Sequence, residues 1–174
     1  MKKKTWLLWT SNKMDQGRAM LSKIVSGGQT GADQAGLDVA IKHGIPHGGW
    51  IPKGRMTEAG PLPEKYQLQE MTTKSYPKRT ERNILDADGT LIVSHGRLTG
   101  GSKLTVDLAT KHNKPFLHLD FKANSMTYCI RMLTSWLADN GIRVLNVAGS
   151  RASKDPEIYG ATVILLESVL GKIK

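Results

Sequence analysis

The chain has 174 residues, and 25 Lys and Arg against 15 Asp and Glu give it a formal net charge of +10. A domain of this length buries about 68–70 % of the surface its unfolded chain exposes, so one core can form without staples. The single Cys129 excludes a disulfide framework and a cysteine-rich metal site and fits a reducing, cytoplasmic compartment. No apolar run nears the roughly 18 residues of a membrane span.

Half of the positive excess sits at one end. Residues 1–23 carry Lys2, Lys3, Lys4, Lys13, Arg18 and Lys23 against Asp15, a net +5, and the other 151 residues carry 19 basic and 14 acidic groups, also +5. The body is therefore mildly basic, as suits a binder of small anions, and its charge does not point to nucleic acid as the partner. The apolar stretch Trp6, Leu7, Leu8, Trp9 is shorter than the ~7–15 residues of a signal-peptide core. Residues 1–21 read as a basic N-terminal extension and residues 22–174 as a single Rossmann-like ligand-binding domain.

In chain order, Lys23 to Ser26 is a short β-branched strand, and Asp33 to His43 a helix with Leu37, Ala40 and Ile41 on its apolar side. The Gly- and Pro-rich stretch from Ile45 to Pro63 has room for a short edge strand, and Tyr66 to Met71 alternates as a strand does. Pro77 to Ala87 is a helix, Thr90 to Ser94 a strand, Ser102 to His112 a helix and Pro115 to Asp120 a strand. Met126 to Asn140 places Cys129, Met132, Leu133, Trp136 and Leu137 at the spacing of one helix face, a core stripe. Arg143 to Ala148 is the last strand. Asp155 reads as an N-cap with Pro156 at the first helical position, opening a helix that buries Ile158, Ala161, Leu165 and Val169. Strands alternating with helices predict an α/β fold, a Rossmann-like three-layer α/β/α sandwich with a mainly parallel sheet. Ligands of such folds bind outside the carboxyl ends of the strands.

Two strand-to-helix loops there are glycine-rich. The first is Ser26-Gly27-Gly28-Gln29-Thr30-Gly31-Ala32-Asp33, where missing Cβ atoms, free N–H groups and a helix start favour an anion. It lacks the acidic residue that a dinucleotide site carries about 20 positions later. The alternative is a tight turn with no ligand. The second is Ser94-His95-Gly96-Arg97-Leu98-Thr99-Gly100-Gly101-Ser102-Lys103. It has P-loop glycine spacing, but Ser and Lys are inverted, which argues against a nucleotide hydrolase. Backbone anion binding by Thr99, Gly100, Gly101 and Ser102 remains, with Thr105 one turn on. The two turns are expected side by side at one sheet edge. Arg79 and Asn83, four apart on one helix face, and Arg151 after the last strand are candidate ligand contacts, with a solvated surface as the alternative. Trp50 could stack on a flat ring.

Metal and nucleophile readings are poorer. Gly44 and Pro46 keep His43 and His47 off one helix face, no G-x-S-x-G elbow exists, and Cys129 belongs to a core stripe. No residue is assigned to catalysis or to a metal.

The segments Lys23 to Asp33, His47 to Arg55, Arg79-Thr80-Glu81-Arg82-Asn83, Leu98-Thr99-Gly100-Gly101 and Asn146-Val147-Ala148-Gly149 resemble the putative molybdenum carrier family, a circularly permuted branch of the LOG-like (SLOG) Rossmannoid superfamily. The likeness runs from about Lys23 to Leu170. It implies a subunit that assembles as a homo-oligomer, dimer or tetramer. It also implies a ligand such as molybdenum cofactor, a phosphate-bearing pterin, or a nucleotide-like molecule. By resemblance the ligand site comprises Gly27, Gly28, Gln29, Thr30, Thr99, Gly100, Gly101 and Ser102, with Arg79, Asn83 and Arg151 beside them, and the loop reading adds Gly31 and Thr105. There are departures. The family pattern has Cys where this chain has Ile51, which weakens direct metal–sulfur contact. LOG-type phosphoribohydrolases carry G-G-x-G-T followed by a Glu, whereas this chain has neither the further Gly nor the Glu after Gly100-Gly101.

The leading expectation is a non-catalytic carrier of a small anionic ligand. The alternative is a nucleoside-monophosphate N-glycosidase using Glu81 or Asp107, and a third reading is nucleic-acid binding through the basic extension.

Overall fold

The computed structural model describes residues 21–171. Its elements are β1 (Lys23–Val25), α1 (Ala32–Lys42), β2 (His47–Gly48), β3 (Trp50–Ile51), β4 (Met56–Thr57), β5 (Gly60–Pro61), β6 (Gln69–Glu70), α2 (Tyr76–Asp86), β7 (Gly89–Ser94), α3 (Gly100–Lys111), β8 (Phe116–Asp120), α4 (Met126–Asp139), β9 (Val144–Gly149) and α5 (Ile158–Gly171).

Five strands form one sheet in the order β2-β1-β9-β7-β8, and every neighbouring pair is parallel. Parallel strands need crossover helices, which cover both faces and make the inner strands apolar throughout. All six residues of β7 are accordingly buried, whereas β8 at the edge is only partly so. Helix α5 packs on α1 and α4, and α2 packs on α3, giving the three-layer sandwich. The main core joins Ile24, Leu91, Val93, Leu145 and Val147 of the sheet to Cys129, Leu133 and Leu137 of α4 and Ile158, Leu165 and Val169 of α5. Each such side chain contributes about 1.5–3 kcal/mol on burial.

Four details differ from the periodicity reading. Of Tyr66 to Met71 only Gln69–Glu70 is strand, and it pairs with Trp50–Ile51 outside the main sheet. The alternation instead marks Tyr66 and Leu68, buried with Leu37, Ile51 and Leu62 in a second cluster. The fifth strand of the main sheet is β2, the short edge strand expected inside the Gly- and Pro-rich stretch. Helix α5 begins three residues after Asp155, whose carboxylate sits 2.8 Å from His95 Nδ1 rather than capping the helix. On α5 the buried position is Thr162 rather than Ala161, its hydroxyl satisfied by Ile158 O at 2.7 Å, and on α1 Ile41 is 40 % exposed. The basic extension lies outside the described residues except for Leu21, which is buried in the main core.

Candidate functional site

Beyond the carboxyl ends of β1, β9 and β7 lies a cleft with about 800 Å³ of space, its open mouth included. Strand β9 separates β1 from β7, so the two glycine loops flank one strand rather than lying side by side. Both still face the cleft, Gly27 and Gln29 from the first loop and Thr99, Gly101, Ser102 and Thr105 from the second. Arg79 and Asn83 reach it from α2, and Arg151 from the loop after β9.

The first loop is largely occupied by the protein's own groups. Asp33, in the first turn of α1, turns its carboxylate back to accept from the backbone N–H of Gln29 at 3.2 Å, and Gly27 N–H also bonds it. Arg79 Nη1 lies 3.5 Å from Asp33 Oδ2, with only 12 % and 9 % of the two side chains exposed. Burial pushes the Asp33 carboxyl above the usual carboxylate range, against the pull of Arg79 and the two N–H groups. A Cβ at Gly27 would land on the Arg79 guanidinium, so the glycine leaves that guanidinium its place beside Asp33. Arg79 Nε is buried without a partner.

Other members of the predicted set hold structure together. Gly28, at φ 74°, packs against Leu62 and Leu68, and Gly31, at φ 83°, leaves room for Ser150 O to accept from Ala32 N at 3.2 Å. Neither lines the cleft, nor do Thr30 and Gly100. Gln29 Oε1 accepts from Thr30 N at 3.1 Å and Glu58 N at 3.0 Å. The Asn83 amide accepts from Trp50 N at 2.8 Å and donates to Trp50 O at 3.1 Å, so it clamps α2 to β3. Trp50 itself lies outside the cleft, with Nε1 2.7 Å from Asp86 and Arg82 above its ring. No aromatic side chain lines the cleft among the described residues.

The second loop is the open one. The N-cap of α3, Thr99, makes no side-chain capping bond, which leaves helix-start N–H groups and the positive end of the dipole facing the cleft. The loop is pinned from behind. Asp120 Oδ1 accepts from Gly96 N at 2.7 Å, and this bond, with that from Lys122 N, holds its carboxyl below the usual range. Ser94 Oγ donates to Gly96 O at 2.7 Å and lies 2.8 Å from His118 Nε2. Burial pushes His118 down, so its imidazole is neutral near pH 7. Thr105 Oγ1 donates to Gly101 O at 2.9 Å.

Two further cations complete the lining, Arg97 and Lys154. Arg97 falls inside the second glycine loop and Lys154 three residues after Arg151, so both were within reach of a count of basic residues in the loops. Asp33 is the sole carboxylate of the lining among the described residues, against Arg79, Arg97, Arg151 and Lys154. Glu81 and Asp107 are elsewhere, on His112 at 2.5 Å and on Lys103 at 3.0 Å. Cys129 is buried in the core, and no three His, Cys, Asp or Glu side chains converge to hold a metal among the described residues. No described helix is long and apolar enough to cross a membrane.

A parallel three-layer α/β domain with glycine-rich loops around a cationic cleft belongs to the Rossmann-like class of folds. The chain belongs to the Circularly permutated YpsA SLOG family, whose model matches residues 24–170. It is similar to a crystal structure described as a putative molybdenum carrier protein from Syntrophus aciditrophicus SB, with 59 % identity and a TM-score of 0.85 over 86 % of this chain and 95 % of that one. No curated protein matches it.

Proposed function

We propose that this protein is a non-catalytic carrier of a small anionic ligand, a phosphorylated pterin such as molybdenum cofactor or a nucleotide-like molecule. One observation carries the reading: four cationic side chains and an uncapped helix start surround a cleft whose one carboxylate among the described residues is already paired with Arg79. A net positive, partly enclosed site attracts a phosphate and holds it by charge-assisted hydrogen bonds. The name of the similar crystal structure supports a molybdenum-related cargo. The glycosidase reading loses its two carboxylates, since neither Glu81 nor Asp107 lines the cleft. We take the carrier to work as a homo-oligomer in the cytoplasm.

Calorimetric titration with AMP, GMP and a pterin monophosphate tests this. At least one should bind and release no free base on prolonged incubation. Arg151→Ala or Arg97→Ala should weaken that binding by about tenfold, the worth of one charged hydrogen bond. Base release at catalytic rates, or binding indifferent to both substitutions, would sink the proposal.

A further inference from the structure

Two of the four cations of the cleft sit on a loop that is held from outside the cleft. Residues 150–155 carry Arg151 and Lys154 into the lining. The loop is tied at one end by Ser150 O to Ala32 N and at the other by Asp155 to His95. Between these ties its contacts converge on one exposed side chain from a distant segment. Glu58 stands at the turn of the β4–β5 hairpin, 95 residues away in sequence. Its carboxylate accepts from Ser153 N at 3.1 Å, from Ser153 Oγ at 2.5 Å and from Thr30 Oγ1. Thr30 Oγ1 in turn accepts from Ala152 N at 3.2 Å. The Glu58 backbone N–H donates to Gln29 Oε1 at 3.0 Å, and Thr57 Oγ1 closes the hairpin turn on Gly60 O at 2.8 Å. Glu58 therefore links the hairpin, the first glycine loop and the cationic rim, while lying outside the cleft itself. Its hydroxyl and amide donors hold its carboxyl below the usual range, so it is ionised at neutral pH and offsets the charge of Arg151 nearby.

We infer that Glu58 is a positioning residue: it fixes the loop bearing Arg151 and Lys154, so that the anion affinity of the cleft is set from the β4–β5 hairpin. This rests on the carrier reading above for its consequence, but the fastening of the loop is a separate property. Without the carboxylate the rim keeps its cations and loses the order that makes binding cheap in entropy.

The test uses the full chain, inorganic pyrophosphate as probe, and Glu58→Ala, Glu58→Gln and Arg151→Ala. In the absence of any ligand, amide hydrogen exchange at Ala152 and Ser153 should be at least several-fold faster in Glu58→Ala, with the amides of β7 unchanged. Pyrophosphate affinity should fall about tenfold, and Glu58→Gln, which keeps one acceptor oxygen, should recover part of both effects. Unchanged exchange at the two amides overturns the inference. So does unchanged affinity in Glu58→Ala where Arg151→Ala loses it. If the unsubstituted protein binds no pyrophosphate, that result counts against the phosphate cleft, and the exchange rates alone decide the fastening.

Discussion

At Gly27 an added Cβ would occupy the place of the Arg79 guanidinium and displace it, whereas at Gly101 an added Cβ meets nothing within 4 Å. Gly27 follows directly on β1 and Gly101 lies in the first turn of α3, and they answer to different constraints. Gly27→Ala forces Arg79 off Asp33 and should cost about 3–5 kcal/mol, as breaking a buried ion pair does, measured by urea denaturation. Gly101→Ala, in the first turn of α3, should raise stability by about 0.4–1 kcal/mol and yet weaken anion binding, because the methyl group occupies cleft space. A Gly101→Ala protein with undiminished affinity would place the ligand elsewhere. Asn83 makes a third case: with both amide atoms on Trp50, Asn83→Ala should cost about 1–3 kcal/mol for the groups left unpaired.

Among the elements, those that repeat a period over ten or more residues were legible in the sequence, and those fixed by a partner were not. The α4 stripe shows Cys129, Leu133 and Leu137 at helical spacing, and these are the residues it buries. Two-residue β2 has no period to read; it exists because Pro46 O and Gly48 O accept from Ile24 N and Ser26 N across the sheet edge. The glycine loops were legible as loops, and nine of the thirteen candidate residues line one cleft. What composition did not reveal is that Asp33 fills the first loop, nor that Glu58, from a hairpin with no motif of its own, reaches Ser153. The α1–α5 seam shows the same partner dependence. Asp38 of α1 accepts from Tyr159 Oη of α5 at 2.7 Å and from Tyr66 Oη at 2.9 Å, and with burial this pushes the Tyr159 phenol up to about 12. A raised folded value means this contribution is whole below the unfolded value near 10 and is lost as pH climbs from there towards 12. Stability measured against pH over that range should fall, and Tyr159→Phe should flatten the fall, with Tyr66, shifted in the same direction, accounting for what persists.

For the molecule as a whole, acid acts in two senses. Asp38, Glu58 and Asp120 are held low by their partners, so their contributions are present above the ordinary carboxylate range and are lost as pH falls from there through their lowered folded values. Asp33 is held high by burial, and its contribution runs the other way, lost as pH rises through its folded value. Asp120→Asn should therefore shallow the acid limb of a denaturation profile, and Asp33→Asn should steepen it; the reverse order would mean the Arg79 charge, not burial, governs Asp33. Among the described residues, those lining the cleft fall between Gly27 and Lys154.

The order of the sheet also governs how the chain is made. Strand β9 is the last to be synthesised, yet it lies in the middle, with Ile24 paired to Leu145 on one side and Leu91 to Val147 on the other. Until it leaves the ribosome, β1 presents an unpaired apolar edge for roughly 6–24 s and β7 for roughly 3–10 s at elongation rates of about 5–20 residues per second. A nascent chain of this topology waits open-sided through most of its translation, its strand edges free to pair with another chain until β9 closes them.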